Sequence, residues 1–155
     1  MVNLNSKIYL AGHRGLVGSA ILRKLKKKGY KNIIYRNREK LDLTNQSQVY
    51  KFLKKNKPDF IFIAAAKVGG ILDNNLFKAD YITENLLIQT NLIQGAYLHG
   101  IKSLIFLGSS CVYPKNCKQP IKERYLLTGI LEDTNDAYAI AKIAGIKMCQ
   151  SFNEQ

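Results

Sequence analysis

The chain has 155 residues, of which 46% are hydrophobic and 23% charged, with a formal net charge of +13. That length predicts one domain with a sizeable core, and the absence of a long apolar run or a signal-like N-terminus predicts a cytoplasmic protein with no membrane partner. Cys111, Cys117 and Cys149 cannot all pair and His13 and His99 are the only histidines, so neither structural disulfides nor a metal site is expected.

Residues 7–12 read as a first strand that breaks into Gly12, Gly15 and Gly18 and resumes as a helix. Leu16, Val17, Ala20, Ile21 and Leu25 recur at helical spacing and predict the buried face of that helix. Gly29 stops it, and residues 32–36 make a second strand. A helix over 45–56 and a strand over 59–64 follow. A long helix over 80–99, with Ile82, Leu86, Ile93 and Tyr97 on one side, ends at Gly100, before a strand over 103–108. The stretches from Gly29 to Tyr35 and from Gly100 to Phe106 echo each other as helix stop, lysine and apolar strand. Residues 111–136 show no clear period, and a last helix begins near Asp136. Alternating elements with nearly all-apolar strands predict an α/β fold, a Rossmann-like doubly wound parallel sheet covered on both faces.

The basic residues cluster at Lys24, Lys26, Lys27 and Lys28, at Lys54, Lys55 and Lys57, and at Lys115, Lys118, Lys122 and Arg124. The first two groups fall at predicted helix C-terminal ends without interleaved aromatic residues, so a solvated face is expected and no nucleic-acid partner. Such a field would also draw in a phosphate-rich small ligand.

The glycine turn predicts where a dinucleotide lies. Gly12 and Gly15 let the backbone turn tightly near a pyrophosphate, Gly18 lets the helix approach the strand, and the helix N-terminus offers free N–H groups. His13, Arg14, Leu16 and Val17 complete the turn, although three glycines between a strand and a helix also suit a plain turn. The GxxGxxG spacing is not the generic GxGxxG but resembles the turn of short-chain dehydrogenases/reductases. After the second strand, where an NAD enzyme usually carries an acid, stand Arg36 and Arg38, and Arg14 lies in the turn itself. Guanidinium groups suit a 2′-phosphate, which predicts NADP(H); ordinary exposed loop arginines are the alternative.

Tyr138 and Lys142 stand one helical turn apart and predict a phenol whose pKa a neighbouring ammonium lowers toward neutrality for acid–base work. A second such pair, Tyr50 and Lys54, lies among solvated lysines and reads as structural. Position favours Tyr138, because it follows the strand that ends in Gly108-Ser109-Ser110-Cys111, and ligands of open parallel sheets collect beyond such strand ends. There Ser109 and Tyr138 can converge; on their own, Ser109 and Ser110 equally suit a hydrogen-bonded turn.

Four stretches in order, Gly12 to Gly18, Ala64-Ala-Ala-Lys-Val-Gly-Gly70, Gly108 to Pro114 and Tyr138 to Gly145, resemble the GDP-L-fucose synthase family of extended short-chain dehydrogenases/reductases. The resemblance implies NADPH-dependent conversion of GDP-4-keto-6-deoxy-mannose to GDP-L-fucose, by epimerisation at C3 and C5 and then reduction at C4. It implies Tyr138 as proton donor to the C4 oxygen, Ser109 as its hydrogen-bonding partner, Lys142 as support for tyrosine and cofactor, and Cys111 as acid/base for epimerisation. Without the family Cys111 reads as a small buried residue. Ala64, Ala65, Ala66, Leu107 and Gly108 would lie against the cofactor and Asp42 and Leu43 beside its adenine.

The resemblance implies that family members continue into a substrate domain that carries the epimerase histidine, and neither His13 nor His99 sits in a matching motif. The expectation is therefore a Rossmann domain over residues 1–155, truncated before the C-terminal substrate domain, binding cofactor at best. A homodimer through the helices near 80–99 and 136–155 is expected by analogy. Another nucleotide-sugar epimerase or reductase of the superfamily, and a non-catalytic basic binding module, are the alternative readings.

Overall fold

A computed structural model describes residues 3–155. The described chain divides into two compact units, one of the residues up to 66 with 87–107, the other of residues 67–86 and 108–155.

The first unit holds the sheet. Its strands are β1 (Ile8–Ala11), β2 (Ile33–Ile34), β3 (Phe60–Ile63) and β4 (Leu104–Phe106), all parallel, in the order β2-β1-β3-β4. Each strand lies within its expected stretch, and β2 is the most shortened. The chain leaves β1 through α1 (Leu16–Lys27) toward one side and returns through α2 (Gln46–Asn56) to the other. The sheet is therefore a Rossmann-like, doubly wound one, with its switch point between the carboxyl ends of β1 and β3. Gly12 follows β1 there and Ala64 follows β3, with the Ala64 N–H donating to the Ala11 carbonyl at 3.0 Å.

Register assigns the faces. Tyr9, Ala11, Ile61 and Ile63 share one and are all at most 1% exposed. Val49 and Leu53 of α2 are equally buried, and the Phe52 ring lies 4.7 Å from that of Tyr9. Ile8, Leu10, Phe60, Phe62 and Ile105 share the other face, where cover declines from buried Ile8 and Leu10 through half-buried Phe60 and Phe62 to Ile105, 43% exposed. The sheet is thus not covered evenly on both faces as expected, because α1 leads from β1 to β2, away from β3 and β4.

The basic clusters of α1 and α2 fall in their last turns, where cations complement the helix dipole. Asn45 caps α2 by accepting from the Gln48 N–H at 3.0 Å. Gly29 and Gly100 both have positive φ, so the repeated helix stops are left-handed turns that a side chain disfavours. Tyr50 is structural, its hydroxyl donating to Gln94 Oε1 at 2.9 Å.

The second unit contains α3 (Ile71–Leu76), which the sequence reading missed, the first part of α4 (Lys78–Leu98), and α5 (Asp136–Glu154). The long segment before α5 carries two 3₁₀ turns, Ser110–Val112 and Glu123–Tyr125. Its ends meet where the Lys115 N–H donates to the Ile130 carbonyl at 2.8 Å. Lys78 Nζ lies 2.9 Å from Asp136 Oδ1 and ties the start of α4 to the start of α5. The buried residues of α5 are mostly small, among them Ala137, Ala139, Ala141 and Gly145.

The expected buried face of α4 is rotated. Tyr81, Asn85, Ile88, Gln89, Asn91, Leu92 and Ala96 are inside together with the expected Ile93, whereas Tyr97 is exposed. Apolar spacing missed this because three of the inward residues, Asn85, Gln89 and Asn91, are polar.

Candidate active site

In the first unit the glycine turn has three distinct parts. Gly12 has φ +85°, and a Cβ there would meet the Ala65 backbone nitrogen at 2.5 Å. Gly18 is buried, and its Cβ would fall 2.0 Å from the Gly12 carbonyl oxygen. These two glycines bring strand end and helix together. Gly15 differs: it is exposed, and the nearest atom to a Cβ would be 3.5 Å away. Its lack of a side chain leaves open space in front of α1.

Gly15 is the N-cap of α1 and offers no side-chain cap, and the first turn contains no acidic residue. The N–H groups of that turn therefore face the open space with their positive end of the helix dipole intact, a setting suited to a phosphate. Seating Gly18 inward corrects the expected face of α1: Leu25 is buried, while Leu16 is 90% and Val17 51% exposed. Ala20 is exposed as well. His13 stacks at 4.6 Å on Tyr35, and burial, followed by the charge of Arg14, lowers its pKa.

Arg14, Arg36 and Arg38 are exposed in this unit. Arg36 turns back on its own strand, donating to the Tyr35 carbonyl at 2.7 Å and lying 5.9 Å from the Phe52 ring centre. Asp42 accepts from the Thr44 N–H and hydroxyl at 2.9 and 2.8 Å, bonds that lower its pKa. The Leu43 carbonyl accepts from buried Asn91 at 2.9 Å. Ala64, Ala65 and Ala66 are half-buried beyond β3, and Leu107, half-buried beyond β4, donates its N–H to the Ile63 carbonyl at 3.3 Å.

The second unit gathers Ser109, Cys111, Tyr138 and Lys142, with the Ser110–Val112 turn packed on α5. Gly108 lies just before this group, with Ile146 of α5 3.6 Å from where its Cβ would be. Cys111 Sγ donates to Ser109 Oγ at 3.2 Å, and the Ser109 hydroxyl is near enough to the Tyr138 phenol to draw its pKa down. Lys142 Nζ is 5.7 Å from the Tyr138 ring centre, as their one-turn spacing requires.

The energetics differ from the sequence expectation. Burial, with the neighbouring Cys111 adding to it, raises the Tyr138 pKa, and the Ser109 hydrogen bond only opposes this. Lys142 is itself 3% exposed, and burial holds its ammonium down to about 8. Desolvation thus outweighs the expected pull of lysine on phenol, and Tyr138 keeps its proton at neutral pH.

Sequence reasoning missed the frame around Lys67. The Asn74 amide donates to the Gly69 and Gly70 carbonyls at 3.0 and 2.9 Å, and the Tyr81 hydroxyl donates to Asp73. That bond leads burial and the Asp73 charge in pushing the Tyr81 phenol up to about 12. Lys67 Nζ lies 3.7 Å from Asp80 and 3.9 Å from Glu84. The only sequence signal was polar residues recurring along an otherwise apolar helix.

A family model described as the NAD dependent epimerase/dehydratase family matches residues 8–155. The chain belongs to this family. Among its curated relatives, a protein named putative GDP-L-fucose synthase 2 from Arabidopsis thaliana is 59% identical over 155 residues, all of this chain and 47% of that one. GDP-L-fucose synthase of Escherichia coli is 49% identical over 149 residues, 96% of this chain and 46% of that one. The structure titled MlghC, a GDP-mannoheptose C4 reductase from Campylobacter jejuni with NADP bound, superposes with a TM-score of 0.96 at 44% identity, covering all of this chain and 49% of that one. This epimerase/dehydratase-family chain therefore spans about half the length of the relatives it matches. Among its described residues no helix is long and apolar enough to cross a membrane.

Proposed function

We propose that these 155 residues form one nucleotide-binding Rossmann domain that binds NADP(H) and supplies acid–base groups for the NADPH-dependent conversion of GDP-4-keto-6-deoxy-mannose to GDP-L-fucose. The observation that carries the reading is Cys111 hydrogen-bonded to Ser109, with the Tyr138 phenol and Lys142 beside them on α5. The identity to proteins named GDP-L-fucose synthase supports the substrate.

The first unit fits the cofactor by its uncapped helix and the space at Gly15. Gly12, His13, Arg14, Gly15, Leu16, Val17 and Gly18 would hold the pyrophosphate end, Arg38 with Arg14 and Arg36 the 2′-phosphate, and Asp42 and Leu43 the adenine side. Ala64, Ala65, Ala66, Leu107 and Gly108 would line the rest, and Lys142 would hold the nicotinamide ribose. The bound cofactor supplies hydride.

Tyr138, kept protonated by burial, gives a proton to the C4 oxygen, and Ser109 orients both. Lys142 stays largely cationic at pH 7 and offsets negative charge formed there. Cys111 exchanges protons at carbon next to the keto group. Exposed Leu87, Tyr97 and Leu98 on α4 and Ile140 on α5 support a homodimer through these helices.

The test is thermal unfolding with NADPH or NADH, followed by product analysis with the keto sugar. Stabilisation by NADPH well above that by NADH is expected, since a ligand of the native form shifts unfolding by mass action. No shift with either would overturn cofactor binding. The name of the Campylobacter C4 reductase favours a second reading, reduction without epimerisation. GDP-L-fucose as product supports the first, and a C4-reduced, unepimerised sugar supports the second.

A further inference from the structure

The first unit carries the net charge of the chain. It holds sixteen lysines and arginines against three acids, Glu39, Asp42 and Asp59, whereas the second unit holds eight of each sign. Helices that join parallel strands return their C-terminal ends to the strands' amino edge. Lys24, Lys26, Lys27 and Lys28 at the end of α1, Lys54, Lys55 and Lys57 at the end of α2, and Lys102 after α4 therefore share the edge opposite the glycine turn. There the approaches to the neighbouring strands β1, β3 and β4 enclose a cleft of about 630 Å³, within the range of small-molecule sites. Asn5, Lys57, Asp59, His99 and Ser103 line it, all in the first unit. Lys57 has φ +43°, the left-handed conformation that Gly29 and Gly100 adopt at the other helix stops, so a lysine here carries strain that a glycine would not. The His99 ring stands edge-on to Tyr50 at 5.8 Å, and its Nε2 is buried with no hydrogen-bond partner among the described residues. A buried polar atom left unpaired is costly and calls for a partner that the chain does not supply.

These groups define the chemistry of a ligand. An ammonium set in a basic field takes a phosphate. The amide, hydroxyl and imidazole suit hydroxyl groups, which both donate and accept. Asp59 accepts from the Lys7 N–H at 2.7 Å through Oδ2 and keeps lone pairs for further donors, but its charge repels a bare anion. Phosphate and hydroxyls therefore belong to one molecule. We propose that this cleft binds a sugar phosphate, with the phosphate on Lys57 and the hydroxyls on Asp59, Ser103 and His99. It lies at the opposite sheet edge from the proposed cofactor site and does not rest on the reaction proposed above.

The test is calorimetric titration of the full chain with glucose 6-phosphate as the probe, with and without saturating NADPH. The same affinity is expected in both conditions, with glucose and inorganic phosphate each binding at least about tenfold more weakly. Lys57→Gly removes the ammonium and relieves the left-handed strain. It is expected to unfold at or above the parent's temperature and to weaken the probe at least about tenfold. Lys27→Gln removes a charge from the same edge outside the cleft and is expected to change the affinity by less than about twofold. Loss of the probe on adding NADPH would place it at the glycine turn and overturn the proposal. Inorganic phosphate binding as tightly as the probe would reduce the cleft to a plain anion site and overturn the sugar. Equal losses in Lys57→Gly and Lys27→Gln, or no binding by the parent, overturn the site. A single-stranded DNA oligonucleotide that binds where the probe does not would make this edge a polyanion surface and overturn the proposal as well. If the chain binds no NADPH, the Lys57 and Lys27 variants still locate the probe, so a failure of the cofactor reading leaves this test standing.

Discussion

Asn85 holds the Lys67 peptide from both sides: its Oδ1 accepts from the Lys67 N–H at 2.9 Å, and its Nδ2 donates to the Lys67 carbonyl at 3.0 Å. The same amide nitrogen donates to the Tyr81 carbonyl one turn back on α4, at 2.8 Å. A side chain only 2% exposed thereby satisfies the backbone at the start of the Lys67–Gly70 stretch without a strand or helix there.

Asn85→Ala removes these bonds and leaves the half-buried Lys67 N–H and carbonyl without this partner. Unfolding free energy is expected to fall by about 2–4 kcal/mol. Denaturant titration measures it, and a loss under about 1 kcal/mol would mean that the Lys67 loop does not depend on this amide.

The glycine turn separates packing from binding. Gly12→Ala adds a Cβ 2.5 Å from backbone nitrogen at positive φ and is expected to cost more than about 3 kcal/mol of stability. Gly15→Ala meets nothing closer than 3.5 Å and is expected to leave stability within about 1 kcal/mol of the parent. The same change is expected to weaken NADPH at least tenfold by filling the space before α1. Unchanged affinity after Gly15→Ala, by titration calorimetry, would argue against phosphate binding at that helix.

Cofactor preference is expected to rest on the exposed arginines after β2, Arg38 among them. Arg38→Ala should weaken NADPH by about ten- to a hundredfold, the worth of a charge-assisted pair, with little effect on NADH. Equal losses for both cofactors would remove the 2′-phosphate assignment.

Lys142 gives a pH signature. Its pKa is about 8 in the folded chain against an ordinary 10.5, so between those values the unfolded chain binds more protons and stability rises with pH. The penalty for burying the cation is therefore fully present below about pH 8. Burial raises Tyr9 and Tyr138, and the Asp73 bond raises Tyr81; these phenols act oppositely, lowering stability above about pH 10. A difference measurement isolates the lysine. Lys142→Met is expected to be more stable than the parent by about 1–3 kcal/mol at pH 7, with the advantage shrinking by pH 9.5. An advantage that does not change with pH would show that the buried charge is not its source.

Much of the fold was legible in the chain alone, because strand and turn signals are local. The apolar runs that became β1 and β3 and the glycine stops at Gly29 and Gly100 depend on neighbours only a few residues away. So does the one-turn spacing of Tyr138 and Lys142. The alternation of elements was enough to imply a parallel sheet, and the ordered motifs were enough to imply the family. What only the tertiary structure decided is how each helix is turned and what each polar group feels. Gly18 against the Gly12 carbonyl, not the apolar spacing of Leu16 and Val17, sets the inward face of α1. Asn85 is inside α4 because the Lys67 peptide, 18 residues earlier, needs its amide. Tyr138 is raised although a lysine stands one turn away, since desolvation depends on everything packed around a group and sequence spacing reports only one neighbour.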